Sequence, residues 1–137
     1  MVSGQKGNAR MAQHYKQLIA WQKAMAMVTE AYRLTRELPR EELYGLTSQM
    51  RRAAVSVPSN IAEGSGRRTT GEFVQFLGQS YGSLCELETQ VLLACHLEYL
   101  TLKRAEIVLA QISEVGRIVN GLIASLIKGK QPPRSGH

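Results

Sequence analysis

Histidine, cysteine and the carboxylates are the side chains that most often perform chemistry, and here they are few and scattered. The three histidines are His14, His96 and His137, two of them near the ends of the 137 residues. Structural zinc sites take Cys or His in closely spaced pairs; no such spacing and no His-Glu-x-x-His occurs. Cys85 and Cys95 stand ten apart in one helical pattern, about 15 Å along a helix axis. A disulfide needs Cα atoms within about 7 Å, so both read as small core hydrophobes. There is no Asp, and any acid–base work would fall to the eleven Glu. Di-iron bundles place Glu-x-x-His on two helices, and that pair is absent. Gly64-Ser65-Gly66 is too short for a phosphate cradle and reads as a helix stop. The expectation is a non-enzymatic protein with no catalytic, cofactor or metal site.

Charge points instead to a partner. Seventeen Lys and Arg face eleven acidic residues, a net +6, and a basic balance favours an anionic partner such as nucleic acid. The composition is 44% hydrophobic and 20% charged, ordinary for a globular protein of one domain. No run of about 18 apolar residues is present, and the N-terminal stretch lacks the apolar core of a secretory signal. A cytoplasmic protein without a membrane span is expected.

Apolar spacing supplies the elements. A first helix is expected from His14 to Leu38, with Leu18, Trp21, Met25, Val28 and Tyr32 as its apolar stripe. Pro39 stops it. A second helix runs from Leu46 to Glu63 on Leu46, Met50, Ala53, Val57 and Ile61, with a kink at Pro58, and Gly64-Ser65-Gly66 ends it. A third spans Glu72 to Leu100. Phe73, Leu77, Ser80, Leu84, Leu87, Val91 and Ala94 form one seam, and Val74, Tyr81, Cys85, Leu92, Cys95 and Tyr99 a second. The second seam is more than one bundle core uses, which suggests self-association. Gly78 and Gly82, four apart, would permit close helix packing. Thr101 caps a fourth helix, Leu102 to Lys128, built on Val108, Ile112, Val115, Val119, Leu122 and Leu126 and closed by Gly129. Short connections make this an all-α, up-down-up-down antiparallel four-helix bundle over residues 14–128. Residues 1–13 and 129–137 read as flexible tails.

The stretch LTSQMRRAAVSVPSNIAEG, residues 46–64, with the earlier LIAWQKAM and the later EFVQFLGQSYGSLCELETQ, resembles the four-helix-bundle family of 23S rRNA intervening-sequence proteins. The likeness spans roughly residues 15 to 128. The last helix, SEVGRIVNGLIASLIKGK, is similar to that of the accessory variability proteins of diversity-generating retroelements. The resemblance implies a homo-oligomer, commonly a pentamer, and in the retroelement branch nucleic-acid binding beside a reverse transcriptase.

Arg52, Ser56, Pro58, Asn60, Glu63 and Gly64 carry the central motif, and their spacing suits a structural role. Ser56 and Asn60 lie one turn from Pro58, whose missing amide frees a carbonyl near Ala54. Glu86 and Glu88 are candidate partners for Arg51 and Arg52 if the second and third helices are antiparallel.

Bundle topology then sorts the charge. One end gathers Lys6, Arg10, Lys16, Arg67, Arg68, Lys128, Lys130 and Arg134 against Glu63 and Glu72; elsewhere acids and bases cancel. Lys16, Arg67, Arg68, Lys128, Lys130 and Arg134 are the expected nucleic-acid contacts, made to phosphates and indifferent to base sequence. The alternative is a protein-interaction ring, an accessory scaffold to a reverse transcriptase, with charge serving solubility.

Overall fold

The structure is a computed structural model and describes residues 15–130, the Lys130 side chain aside. Helix α1 is Ile19–Thr35, α2 Leu46–Ser65, α3 Thr70–His96 and α4 Leu102–Lys130, with a single 3-10 turn, Arg40–Glu42, between α1 and α2. Each helix packs on two neighbours, α1 on α2, α2 on α3, α3 on α4 and α4 back on α1, and α2 with α3 is the most extensive pair. Cross-links fix the directions. Arg51 meets Thr35, Ser80 meets Val57, and Lys23 and Arg104 pair with Glu114 and Glu37. Every adjacent pair is therefore antiparallel, and the described residues form an up-down-up-down four-helix bundle.

The expected seams of three helices are the core. Leu46, Met50, Ala53, Val57 and Ile61 of α2 are buried, as are Leu77, Ser80, Leu84, Leu87, Val91 and Ala94 of α3. Val108, Ile112, Val115 and Val119 of α4 join them, with Leu122 and Leu126 at the edge. Leu102–Gly129 is long and apolar enough by composition to cross a membrane, but the core helix of a bundle shares that composition.

Helix α1 departs from expectation. Its buried face is Ala20, Ala24, Met27, Ala31 and Leu34. Leu18, Trp21, Val28 and Tyr32 are only half-buried, and Met25 is exposed. Trp21, Met25 and Val28 instead line an open groove with Val55, Pro58 and Ala62 of α2. The helix also starts late, because Leu18 is extended, and ends at Thr35, four residues before Pro39.

Helix ends follow local hydrogen bonding. Thr69 caps α3 by accepting from the Glu72 amide at 3.1 Å, while its hydroxyl donates to the Glu72 carboxylate at 3.0 Å. Thr101 caps α4 through the Arg104 amide. Helix α2 continues past Pro58 to Ser65, so Gly64 lies inside it and Gly66 is the cap; α4 likewise runs through Gly129 to Lys130. At the C-terminus of α3 the amides of Tyr99 and Glu98 bond back to Ala94 and Cys95. That closure places Glu98 in the left-handed region, φ 64°, where glycine is the usual residue.

Glu42 ties two connections together. It accepts from the Leu46 amide at 3.0 Å and from the Tyr99 hydroxyl at 2.9 Å. The Leu46 amide, then the Tyr99 hydroxyl, hold its carboxyl below the ordinary value, and the same contact raises the Tyr99 phenol.

Gly64 is buried where α2 crosses α3. A Cβ there would stand 2.6 Å from the Phe76 Cβ and 3.0 Å from the Phe73 ring. Gly64→Ala is expected to lower unfolding free energy by about 1–3 kcal/mol, the usual cost of overpacking, measured by urea denaturation. Glu98→Gly should act oppositely. Relief of roughly 1–2 kcal/mol of left-handed strain, less about 0.5–1 for added unfolded-state entropy, leaves a gain of about 0.5–1 kcal/mol. An unchanged or lowered midpoint would contradict it.

Candidate functional site

Of the central motif, Pro58 and Gly64 are buried, Ser56 and Asn60 half-buried and Arg52 and Glu63 exposed, and α2 presents Ser56 and Gly64 to α3. Pro58 removes the amide that would bond the Ala54 carbonyl. No side-chain donor among the described residues reaches that carbonyl; Ser56 and Asn60 act elsewhere. The Ser56 and Ser83 hydroxyls share a hydrogen bond of 2.8 Å across the helices. The Asn60 amide donates to the Ser56 carbonyl at 2.8 Å and to its hydroxyl at 2.9 Å. Buried Ser80 donates to the Val57 carbonyl at 3.0 Å, immediately before the proline. A buried hydroxyl without a partner would be costly, so these bonds select one register of α2 on α3. Glu63 is exposed and Gly64 is the close crossing.

Arg51 and Arg52 do not pair with Glu86 or Glu88. Arg51 turns toward α1 instead. Its Nε donates to the Thr35 hydroxyl at 2.9 Å, which in turn donates to the Tyr32 carbonyl at 2.8 Å. Its guanidinium carbon lies 4.9 Å from the Tyr32 ring centroid. Arg52 is exposed and lines a polar groove with Glu86 without reaching ion-pair distance.

Of the expected phosphate contacts, Lys16, Arg67, Arg68 and Lys128 are exposed, and all lie toward the end of the bundle that holds the α2–α3 connection. Arg67 is partly committed, paired with Glu63 at 2.7 Å and stacked on Phe76 at 4.7 Å. Arg68 and Lys128 make no ion pair among the described residues. The Lys130 side chain and Arg134, with Lys6 and Arg10, lie outside the described residues, as do the expected tails apart from Gly129 and the Lys130 backbone. At the opposite end Arg33 pairs with Glu30 and Arg104 with Glu37, the latter contact raising the Arg104 pKa. Among the described residues no three His, Cys or Glu side chains converge on a metal position.

The second seam of α3 is split: Cys95 and Tyr99 pack against the core and the rest lies outside it, Cys85 included, where a core position was expected. Tyr81, Cys85 and Leu92 are exposed, while Val74, Cys95 and Tyr99 are half-buried. Among the described residues nothing lies within 4 Å of the position of a Cβ at Gly78 or Gly82.

Comparison with known proteins agrees with this architecture. No curated protein matches the chain. Among solved structures it is similar to the crystal structure of a protein with unknown function from the S23 ribosomal protein family of Bacteroides thetaiotaomicron. The TM-score is 0.71 at 20% identity, over 77% of this chain and 98% of that one, which shows a shared fold. The family model described as 23S rRNA-intervening sequence protein matches residues 16–121, from the start of the described residues well into α4. By that match the chain belongs to the 23S rRNA-intervening sequence protein family.

Proposed function

We propose that this chain is a non-enzymatic, cytoplasmic, homo-oligomeric bundle that binds nucleic acid through phosphate contacts at one basic pole. The observation that carries the reading is the uneven charge. Lys16, Arg67, Arg68 and Lys128 are exposed toward the end where, among the described residues, Glu63 and Glu72 are the neighbouring carboxylates, and in sequence Lys6, Arg10, Lys130 and Arg134 add four more cations close to them. At the other end, ion pairs already neutralise Arg33 and Arg104. A ring of parallel subunits would repeat the basic end as one face, able to displace counterions from a polyanion. The family resemblance favours five subunits. The large apolar side chains left outside the core support association: Leu93 is 46% exposed, Leu97 47% and Ile107 57%. The same surfaces favour a second reading, a protein-interaction ring that serves a partner such as a reverse transcriptase.

Salt titration separates the two readings. In mobility shifts on RNA and DNA, Arg67→Ala with Arg68→Ala and truncation after Gly129 should weaken binding to every sequence alike. The slope of log affinity against log salt should fall by roughly 0.7–0.9 for each phosphate no longer neutralised. Arg33→Ala with Arg104→Ala is the control and should leave the slope unchanged. Equal effects of both sets, or none from either, would give precedence to the protein-interaction reading. Light scattering should return a mass well above that of one chain; the mass of a single chain at micromolar concentration would contradict assembly.

A further inference from the structure

Charge varies around the bundle as well as along it. Arg36 and Arg40, at the end of α1 and in the turn after it, line one shallow groove with Arg51. Arg51 lines the adjoining groove with Arg52, Tyr32 and Tyr44. Leu43 is common to both, so the two grooves form one continuous surface on the α1–α2 face. None of the four arginines is in an ion pair among the described residues. The nearby carboxylates are mostly engaged elsewhere. Glu37 is paired with Arg104, Glu30 with Arg33, and Glu42 holds Leu46 and Tyr99. Glu86 lies in the groove on the far side of Arg52, and Glu41 is exposed in the 3-10 turn, so positive charge prevails.

Two features make the surface more than a solvated patch. Arg51 is held in place by its Nε bond to Thr35 and by the Tyr32 ring beneath it. Of the five N–H donors of a guanidinium, only that one has a protein acceptor among the described residues, leaving the rest free for bidentate contact with a phosphate. Beside it, Tyr44 is 94% exposed, an aromatic ring with almost no packing of its own. An open ring flanked by unpaired arginines is the chemistry that holds single-stranded nucleic acid: a base stacks on the ring while cations follow the backbone. A duplex conceals its base faces and would use only the cations.

We propose that the α1–α2 face binds single-stranded nucleic acid, with Tyr44 stacking a base and Arg36, Arg40, Arg51 and Arg52 contacting the phosphates. The inference rests on the reading that the chain binds nucleic acid, but it uses a site separate from the basic pole. The test is fluorescence anisotropy of a labelled uridine dodecamer and a labelled 12-base-pair duplex, about one helical turn long, with the intact protein. Tyr44→Ala should weaken the single strand by about 5- to 150-fold and leave duplex affinity unchanged, whereas Tyr44→Phe should retain single-strand binding. Arg40→Ala with Arg52→Ala should reduce the single-strand salt slope by about 0.7 for each phosphate no longer neutralised. Undiminished single-strand binding by Tyr44→Ala, where the Arg67→Ala, Arg68→Ala variant is weakened, would overturn this site and leave the pole standing. Weakening with Tyr44→Ala alone would establish this site and remove the pole. A fall in oligomer mass in Tyr44→Ala would make the face a contact between protein surfaces and overturn the inference.

Discussion

The contact between α2 and α3 is the constraint on which the remainder of this bundle depends. A proline inside a helix removes a backbone hydrogen bond and crowds the preceding turn, so α2 is the element least able to stand alone. Its register comes from its neighbour. Ser80 bonds the carbonyl beside Pro58, Ser83 bonds Ser56, and Gly64 lets the two backbones close on Phe73 and Phe76. A slip of one residue would leave several of these hydroxyls buried without partners and drive a Cβ into Phe76. Helices α1 and α4 then complete the square with apolar contacts that are individually less selective.

This arrangement separates what the motif does from where function lies. Ser56 and Gly64 are occupied in joining α2 to α3, Asn60 is bonded to Ser56 within α2, and Pro58 is buried. With α2 fixed on its inner side, its outer side becomes a rigid platform. Arg51 is buttressed by Thr35 and Tyr32 of α1, and Arg52 and Val55 face outward beside it. A guanidinium held before its ligand arrives loses less entropy on binding, so packing on one side of α2 bears on recognition on the other.

Much of the fold was legible because α2, α3 and α4 put large residues on their buried faces. Helix α1 misled for a physical reason. Both of its stripes step by three and four, and the one with Trp21, Met25 and Tyr32 carries the bulkier side chains. The core instead takes the face with Ala20, Ala24 and Ala31, together with Met27 and Leu34. Glu98 in a glycine-type conformation gave no local signal, since the Schellman closure dictates it. The Arg51 contact with Thr35 joins residues sixteen apart in sequence, and i,i+4 reasoning within one helix cannot find it. The placement of charge around the bundle was not legible, because it depends on side-chain packing. For that reason Arg36, Arg40, Arg51 and Arg52 looked cancelled, when none of them is in an ion pair among the described residues.

Native-state amide hydrogen exchange tests the primacy of the α2–α3 contact most directly, because exchange of the most protected amides requires global unfolding. The slowest amides should be those of Ala53–Ile61, Pro58 excepted, and Leu77–Val91, exchanging together with the free energy of global unfolding. The amides of α1 and of the last turns of α4 should open earlier. If those of α1 and α4 prove slowest while residues 59–65 exchange through an independent local opening, α2 is not anchored by α3, and the account is contradicted.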